Sequence, residues 1–317
     1  MTNLNYGKCL GCYHPISDGG LYHQRCCQKL FQQKFPPQLE ISTDEVTWFA
    51  QKFLSQRLVV TGVQRKLSLA LEKAESSRLT LVGSLGGGYI MKPPNPDYDQ
   101  MPEIEDLSMH MAEACGIKTA RHGLLPMQEG GIAYITKRFD RKGQKKVAVE
   151  DMCQLSGLLT EQKYRSSYEQ VAKLIQRYSS VPGDDLLRFF ELVTFSYVIG
   201  NNDMHLKNFS LMTDDLSFIH MTPAYELLAV RLLLSKKDDP EDLALTLNGK
   251  KAKLKRLDFI ICGRTIGVPE KVVLMVLEKQ INSKEAMFDW IDRSFLTAER
   301  QADFRALVEE NLATMSQ

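Results

Sequence analysis

Asp203 and Asn208 stand five residues apart in the segment Gly200-Asn201-Asn202-Asp203-Met204-His205-Leu206-Lys207-Asn208-Phe209-Ser210, directly after the apolar run 192–199. An aspartate can accept the proton of an attacking hydroxyl, and an asparagine can offer an oxygen to magnesium. A loop of this length lets both side chains point at one phosphoryl group, so the pattern fits phosphoryl transfer. Asp and Asn are also ordinary loop residues, and a plain turn uses the same types. Gly200, His205 and Lys207 within the same short segment favour the chemical reading.

Phosphoryl transfer also needs a cation at the phosphates and a second metal-binding carboxylate. Lys92 ends the strand-like Tyr89-Ile90-Met91-Lys92 and precedes Pro93-Pro94. A lysine there can pair with phosphate oxygens, held by Glu105 or Glu103 on the next expected helix; most strand lysines are instead solvated. After Asn208 comes a hairpin pattern: Phe209-Ser210-Leu211-Met212, a turn at Thr213-Asp214-Asp215, then Phe218-Ile219-His220. It runs into Met221-Thr222-Pro223-Ala224-Tyr225-Glu226. In protein kinases the Asp-x-x-x-x-Asn spacing recurs and the metal-binding aspartate follows such a hairpin. Here that position falls on Glu226, which offers oxygen to magnesium but is one methylene longer. Asp214 and Asp215 read as turn residues. Thr61-Gly62-Val63-Gln64-Arg65-Lys66 and Gly83-Ser84-Leu85-Gly86-Gly87-Gly88 are flexible spots where backbone N–H groups could cradle an anion. Neither matches G-x-G-x-x-G or the P-loop, and Gly86-Gly87-Gly88 reads better as a hairpin turn.

Around these residues the chain is long enough, at 317 residues and 44% hydrophobic, for a large core and two lobes. The net charge of +1 gives no reason to expect direct nucleic-acid binding. The sequence lacks an apolar run long enough to span a membrane and a secretory leader, so a reduced, cytoplasmic protein is expected. A helix is expected from Ser42 or Thr43 through Val46, Phe49, Ala50 and Phe53. Strands are expected at Leu58-Val59-Val60, Lys66 to Leu71, Leu79 to Val82 and Tyr89 to Lys92. Glu103 to Cys115 reads as a helix stopped by Gly116, and Gly130 to Phe139 as a strand or hairpin. Beyond about Val149 the signals are mostly helical. The fold class is α+β, with a β-rich first lobe, a mostly helical second lobe and a site between them. The expected domains are a Cys/His-rich segment 1–35, a first lobe 36–140 with the glycine-rich loop and phosphate lysine, and a helical lobe 141–317 with the catalytic loop.

The first 35 residues carry a second chemistry. Cys9-x-x-Cys12 and His23-x-x-Cys26 offer four zinc ligands in two knuckle-like pairs, with Gly19-Gly20 giving the turn between them. So short a segment has little core, and a structural metal would supply its folding energy. Cys27 is an alternative fourth ligand and His14 a weaker one; free thiols on a flexible tail are the plain alternative. Cys115, Cys153 and Cys262 sit singly in apolar surroundings and read as small buried hydrophobes.

Taken in order, the segments resemble the HipA family of bacterial serine/threonine kinases, the toxins of toxin–antitoxin systems. The matching pieces are Thr61 to Ser68, Tyr89 to Pro93, Pro102-Glu103-Ile104-Glu105, Lys137-Arg138-Phe139-Asp140-Arg141, Glu150-Asp151-Met152-Cys153-Gln154, Gly200 to Ser210, and Pro223 to Glu226. The resemblance implies a kinase-like fold with ATP at the lobe interface and magnesium as cofactor. It implies that Asp203 is the catalytic aspartate, that Asn208 and Glu226 hold magnesium, and that Lys92 holds nucleotide phosphate with Glu105 as its partner. Thr61, Gly62, Val63, Gln64 and Lys66 would lie along the nucleotide, as would His205 and Lys207, for which loop bracing is the alternative. Arg138-Phe139-Asp140-Arg141 matches a strand-end motif near the hinge, or is a surface ion-pair cluster. A protein substrate such as an aminoacyl-tRNA synthetase, a cognate antitoxin and a small separate protein replacing the missing N-terminal subdomain are the implied partners. The chain departs from the family in having Glu226 for Asp, and in having no serine nearer than Ser55 before the Gly-Val-Gln motif, which leaves Thr61 for self-phosphorylation. A small-molecule or lipid kinase on the same fold, and a nucleotide-binding pseudokinase acting through protein binding, are the alternatives.

Overall fold

The computed structural model describes residues 6–17, 19–39, 41, 66–72, 77–82, 87–128, 130–143 and 145–317. The expected helix from Ser42 or Thr43, Ser55, the strand Leu58-Val59-Val60 and the motif Thr61-Gly62-Val63-Gln64 lie outside the described residues, as do 83–86. The chain divides into two compact units: 1–106, 120–138 and 293–295 form the first, and 107–119, 139–292 and 296–317 the second.

The first unit is built on a six-stranded sheet. Its strands are β1 (Gln38–Leu39), β2 (Leu67–Glu72), β3 (Arg78–Val82), β4 (Tyr89–Lys92), β5 (His122–Pro126) and β6 (Ile132–Lys137), in the order β1-β3-β2-β4-β6-β5. All neighbours are antiparallel except β1 with β3. Leu67 and Leu69 of β2 are buried while Ser68 and Ala70 are half-buried, the period of two that a one-sided strand requires. The register sets Lys92 opposite Tyr134.

The hairpin expected at Gly86-Gly87-Gly88 is corrected by this topology. β3 and β4 both pair with β2 and not with each other, so the two strands do not form a hairpin. Gly87 has φ +78°, and a Cβ there would lie 2.3 Å from the Leu69 carbonyl oxygen. The close backbone approach, not a hairpin turn, demands the glycine at 87.

Ahead of the sheet, α1 (Gln24–Phe31) buries Cys27, Leu30 and Phe31. Helix α2 (Met101–Ala114) begins two residues earlier than its expected start. It stops where Gly116 takes φ +80°: Gly116 N–H bonds to the Glu113 carbonyl and Ile117 N–H to the Ala112 carbonyl, a Schellman end.

In the second unit, β7 (Arg141–Lys142) pairs with β8 (Lys145–Lys146), and β9 (Val149–Asp151), β10 (Ser210–Thr213) and β11 (Ile219–Met221) form a sheet ordered β11-β10-β9. Helices α3 (Met152–Leu155), α4 (Tyr168–Tyr178), α5 (Pro182–Val198), α6 (Arg256–Thr265), α7 (Glu270–Asn282), α8 (Lys284–Arg293) and α9 (Ala298–Ser316) make up most of the rest. Ser167 caps α4, Thr297 caps α9, and α5 opens with Pro182, Asp184 and Asp185, residue types that suit a helix N-terminus. Tyr168, Phe189 and Phe209 meet edge-to-face or tilted at 5.2–6.2 Å, and all are buried. Each such side chain contributes roughly 1.5–3 kcal/mol by burial, so the segment ending at Phe209 is anchored at one end by core packing. Among the described residues no helix is long and apolar enough to cross a membrane.

Candidate functional site

Helix α5 delivers the chain to Asp203. Just past its end, Gly200 has φ +69°, and a Cβ there would lie 2.7 Å from that of Arg231, so only glycine lets the chain turn there. Asn201 then links two backbones. Its Oδ1 accepts from Asp203 N–H at 3.3 Å, and its Nδ2 donates to the Glu226 carbonyl at 3.2 Å. Asn208 Nδ2 donates to the Asp203 carbonyl at 2.8 Å, closing the loop on itself and leaving the Asn208 side-chain oxygen as the atom that could accept a cation. Tyr168 Oη donates to the Met204 carbonyl at 3.2 Å, tying the loop to the aromatic core.

The Asp203 side chain is half-exposed, and its Oδ1 accepts from Tyr164 Oη at 2.6 Å. Burial first, and the Asp203 charge second, push the Tyr164 phenol well above its ordinary pKa, so it stays a donor. His205 is buried with its ring edge against Tyr164 at 5.0 Å, and its Nε2 is 4.0 Å from Asp203 Oδ1. Lys207 Nζ meets Asp151 Oδ2 at 2.8 Å. Asp151 Oδ1 also caps α3 by accepting from Gln154 N–H at 2.9 Å, while Gln154 Oε1 accepts from Asp151 N–H. Lys207 is therefore engaged in bracing the loop against β9 and α3.

Glu226 follows the β10–β11 hairpin and has φ 59°. The left-handed region is uncommon for residues other than glycine and is better tolerated by Asp and Asn than by Glu. Its neighbour Tyr225 donates to the Lys207 carbonyl at 2.9 Å, so Ser210 is the donor in the 2.6 Å Ser210–Tyr225 contact. Asn208 and Glu226 both present oxygen, the ligand type magnesium takes, so the residues fit that ion. Asp214 is a turn residue: its carboxylate accepts from Leu216 and Phe218 N–H at 2.8 and 2.9 Å.

In the first unit, Lys92 Nζ and Glu105 form an ion pair with both side chains 1% exposed. Lys92 also lies over the Tyr134 ring at 5.4 Å. Of the two candidate partners on α2, Glu105 meets the lysine, while burial raises Glu103 to about 7. Lys66 is exposed at the start of β2.

The four expected zinc ligands come together in the same unit. Cys9 Sγ, Cys12 Sγ, a ring nitrogen of His23 and Cys26 Sγ all lie within 4.8 Å of one another. Tyr13 N–H bonds to the Cys9 carbonyl at 2.8 Å and His23 N–H to Cys9 Sγ at 3.2 Å, forming a knuckle around the sulfur. His23 Nε2 lies 3.1 Å from the Pro15 carbonyl, which can only accept. The proton is thereby assigned to Nε2, leaving the Nδ1 lone pair facing Cys12 Sγ at 3.3 Å. Gly11 is required, because a Cβ there would lie 2.6 Å from Tyr22. Contacts with Cys26 and Cys9 lower Cys12 to about 3, and contact with Cys12 raises Cys26 far above the usual thiol value. Three sulfurs and an imidazole suit zinc. Cys27 is buried instead, raised to about 11 by desolvation, and His14 turns to Arg293 at 2.7 Å.

Tyr164, Asn201 and Asp151 touch the loop directly, and none is among the site residues expected from the sequence. Asp151 lies in the matching piece Glu150 to Gln154 and opens a capping signature, Asp151-x-x-Gln154, but neither signal gives it a site role; Tyr164 has no local signal.

The chain is similar to several known proteins. "Putative kinase Y4dM" of Sinorhizobium fredii is 28% identical over 260 residues, covering 78% of this chain and 63% of its own. A "Putative kinase" of Haemophilus influenzae is 26% identical over 291 residues, covering 83% of this chain and 82% of its own. A chain of the Shewanella oneidensis complex of HipA, HipB and operator DNA superposes with a TM-score of 0.67 at 21% identity, over 82% of this chain and 65% of that one. The Helicobacter pylori kinase CtkA superposes with a TM-score of 0.55 at 16% identity, over 78% and 93%. The chain thus spans under two thirds of Y4dM and of the Shewanella chain, and the two superpositions show an α+β kinase-like fold. Residues 58–289 match the family described as HipA-like C-terminal domain, and the chain belongs to that family.

Proposed function

We propose that this protein is an ATP- and magnesium-dependent protein serine/threonine kinase, acting as the toxin of a HipA-type toxin–antitoxin system in the cytoplasm. The observation that carries the reading is the buried Lys92–Glu105 pair. A lysine on a strand end held by a helix glutamate is the device kinases use to grip nucleotide phosphates. Burying two charges is costly, so such a pair is weak evidence of a stabilising role and fits a positional one.

In this reading Lys92 holds nucleotide phosphate and Asp203 accepts the proton of the acceptor hydroxyl. Asn208 and Glu226 would hold magnesium, which when bound supplies neutralising charge at the phosphates. Asn201 keeps Asp203 and the Glu226 backbone in step, and the Lys207–Asp151 pair stiffens the loop. Positioning and electrostatics do most of the work. Thr61, Gly62, Val63, Gln64, Lys66 and His205 complete the nucleotide-binding set. Cys9, Cys12, His23 and Cys26 bind one structural zinc. The partners are a protein substrate, for which an aminoacyl-tRNA synthetase is the family precedent, an antitoxin, and a small separate protein. Domain boundaries near 35 and 140 go with this reading.

A second reading, a nucleotide-binding pseudokinase, is favoured by Glu226 in its left-handed backbone. The full chain incubated with labelled ATP and host lysate separates the possibilities. A labelled protein band supports the kinase; a labelled small molecule replaces it with a metabolite or lipid kinase; ATP binding without transfer favours the pseudokinase.

A further inference from the structure

The knuckle holding Cys9, Cys12, His23 and Cys26 is joined by side chains to the helix that carries Glu105. Tyr13 directly follows Cys12. It is 1% exposed, sits at φ 61°, and packs edge-on against Phe295 at 5.0 Å. A tyrosine in that left-handed conformation persists only where its surroundings fix it. Its hydroxyl donates to Asp106 Oδ2 at 2.6 Å, and Asp106 Oδ1 lies 2.6 Å from His122 Nδ1. The rings of His122 and Tyr134 stack at 6.2 Å, and Tyr134 lies beneath Lys92. Glu105 is the residue before Asp106 on α2.

Adjacent helix residues point about 100° apart. Asp106 is fastened on one side by the knuckle and Glu105 on the other by Lys92, so the rotation of this turn of α2 is shared between them. The knuckle is also stitched to the sheet. Tyr22 Oη donates to the Leu124 carbonyl at 2.7 Å, Tyr89 Oη to the Leu30 carbonyl at 3.2 Å, and Leu124 N–H to the Leu10 carbonyl at 3.3 Å. A segment of this size does not hold a fixed turn by apolar burial alone.

We propose that the metal held by Cys9, Cys12, His23 and Cys26 is a positioning element for the Lys92–Glu105 pair, acting through Tyr13 and Asp106. The inference rests on reading that pair as the nucleotide-phosphate grip. Tyr13 and Asp106 are positioning residues: they set the helix turn from which Glu105 reaches the lysine and touch no nucleotide.

The test compares full-length wild type, Cys12→Ser and Tyr13→Phe by zinc content, hydrogen exchange of residues 101–106, and ATP kinetics. Wild type carries about one zinc per chain, the stoichiometry of a closed four-ligand site. Cys12→Ser loses it, and exchange at 101–106 accelerates. Tyr13→Phe keeps the zinc and the ring packing but loses one hydrogen bond to a charged group, raising the KM for ATP about tenfold. Its kcat stays within about twofold, because the acceptor side of the reaction is untouched. Metal-free wild type, or Tyr13→Phe with wild-type exchange and KM, overturns the inference. Wild type that binds no ATP yet shows metal-dependent exchange at 101–106 overturns the kinase reading and leaves the link from metal to helix standing.

Discussion

Tyr164 donates its hydroxyl to Oδ1 of Asp203 at 2.6 Å, across 39 residues of sequence. An acceptor hydroxyl delivering its proton to Asp203 would make the same hydrogen bond. Tyr164 is 41% exposed, so leaving Asp203 would not break a core contact beyond its ring against His205. Tyr164→Phe removes this internal competitor and keeps the ring against His205. A hydrogen bond to a charged group contributes about 1.5–3 kcal/mol, and exposure puts this one at the low end, so kcat/KM for the protein acceptor should rise about tenfold. Steady-state kinetics against acceptor concentration reads it. A fall in kcat at unchanged KM would instead make Tyr164 the group that orients Asp203.

Asp203→Asn separates chemistry from folding. The side chain is half-exposed, its carbonyl and N–H hold the loop, and the Asn variant keeps an oxygen that can accept from Tyr164. The melting temperature should stay at the wild-type value. Loss of a proton acceptor lowers transfer on the order of 10²–10⁴-fold, and toxicity with it. Retained transfer would remove Asp203 from its assigned role.

Lys92→Met should destabilise strongly. It leaves Glu105 buried without its partner, and breaking a buried pair costs about 3–5 kcal/mol. Lys92→Met combined with Glu105→Leu should recover most of that stability, since an apolar pair of similar volume carries no desolvation cost. The double variant should still bind no ATP. Denaturant unfolding and nucleotide titration of the three proteins give both quantities. If the double variant binds ATP at wild-type affinity, the pair is structural only.

How far such residues can be read from sequence depends on how local their partners are. Asp203 and Asn208 share one short loop, so their spacing is legible; Lys92 with Glu105 or Glu103 is joined by one strand-to-helix connection, and the family resemblance selects Glu105. Tyr164 reaches Asp203, and Tyr13 reaches Asp106 across 93 residues, only because tertiary packing brings them there. The β-rich first half and helical second half were legible from periodicity. Strand β5 was not, because His122, Gly123 and Pro126 are poor strand formers. Gly123 is nonetheless needed, since a Cβ there would lie 2.6 Å from the Tyr22 hydroxyl of the knuckle. Helix α1 was hidden because Cys26 and Cys27 drew attention as ligands, although Cys27, Leu30 and Phe31 form its buried face.

Glu226 gives the sharpest test. Its φ of 59° suits Asp better than Glu, and its carbonyl is pinned by Asn201. A backbone held in place cannot retreat to accommodate the extra methylene. Magnesium tolerates little departure from octahedral geometry at about 2.0–2.1 Å, so a displaced carboxylate ligates poorly. Glu226→Asp should therefore raise ATP turnover and toxicity, without lowering the melting temperature. Transfer rates of the two proteins at saturating magnesium decide it. A slower Asp variant would mean that the chain has adapted its backbone to the longer side chain. Equal rates with magnesium still bound would mean that position 226 is no metal ligand, and the metal would then have to be held by Asn208 and groups not yet identified.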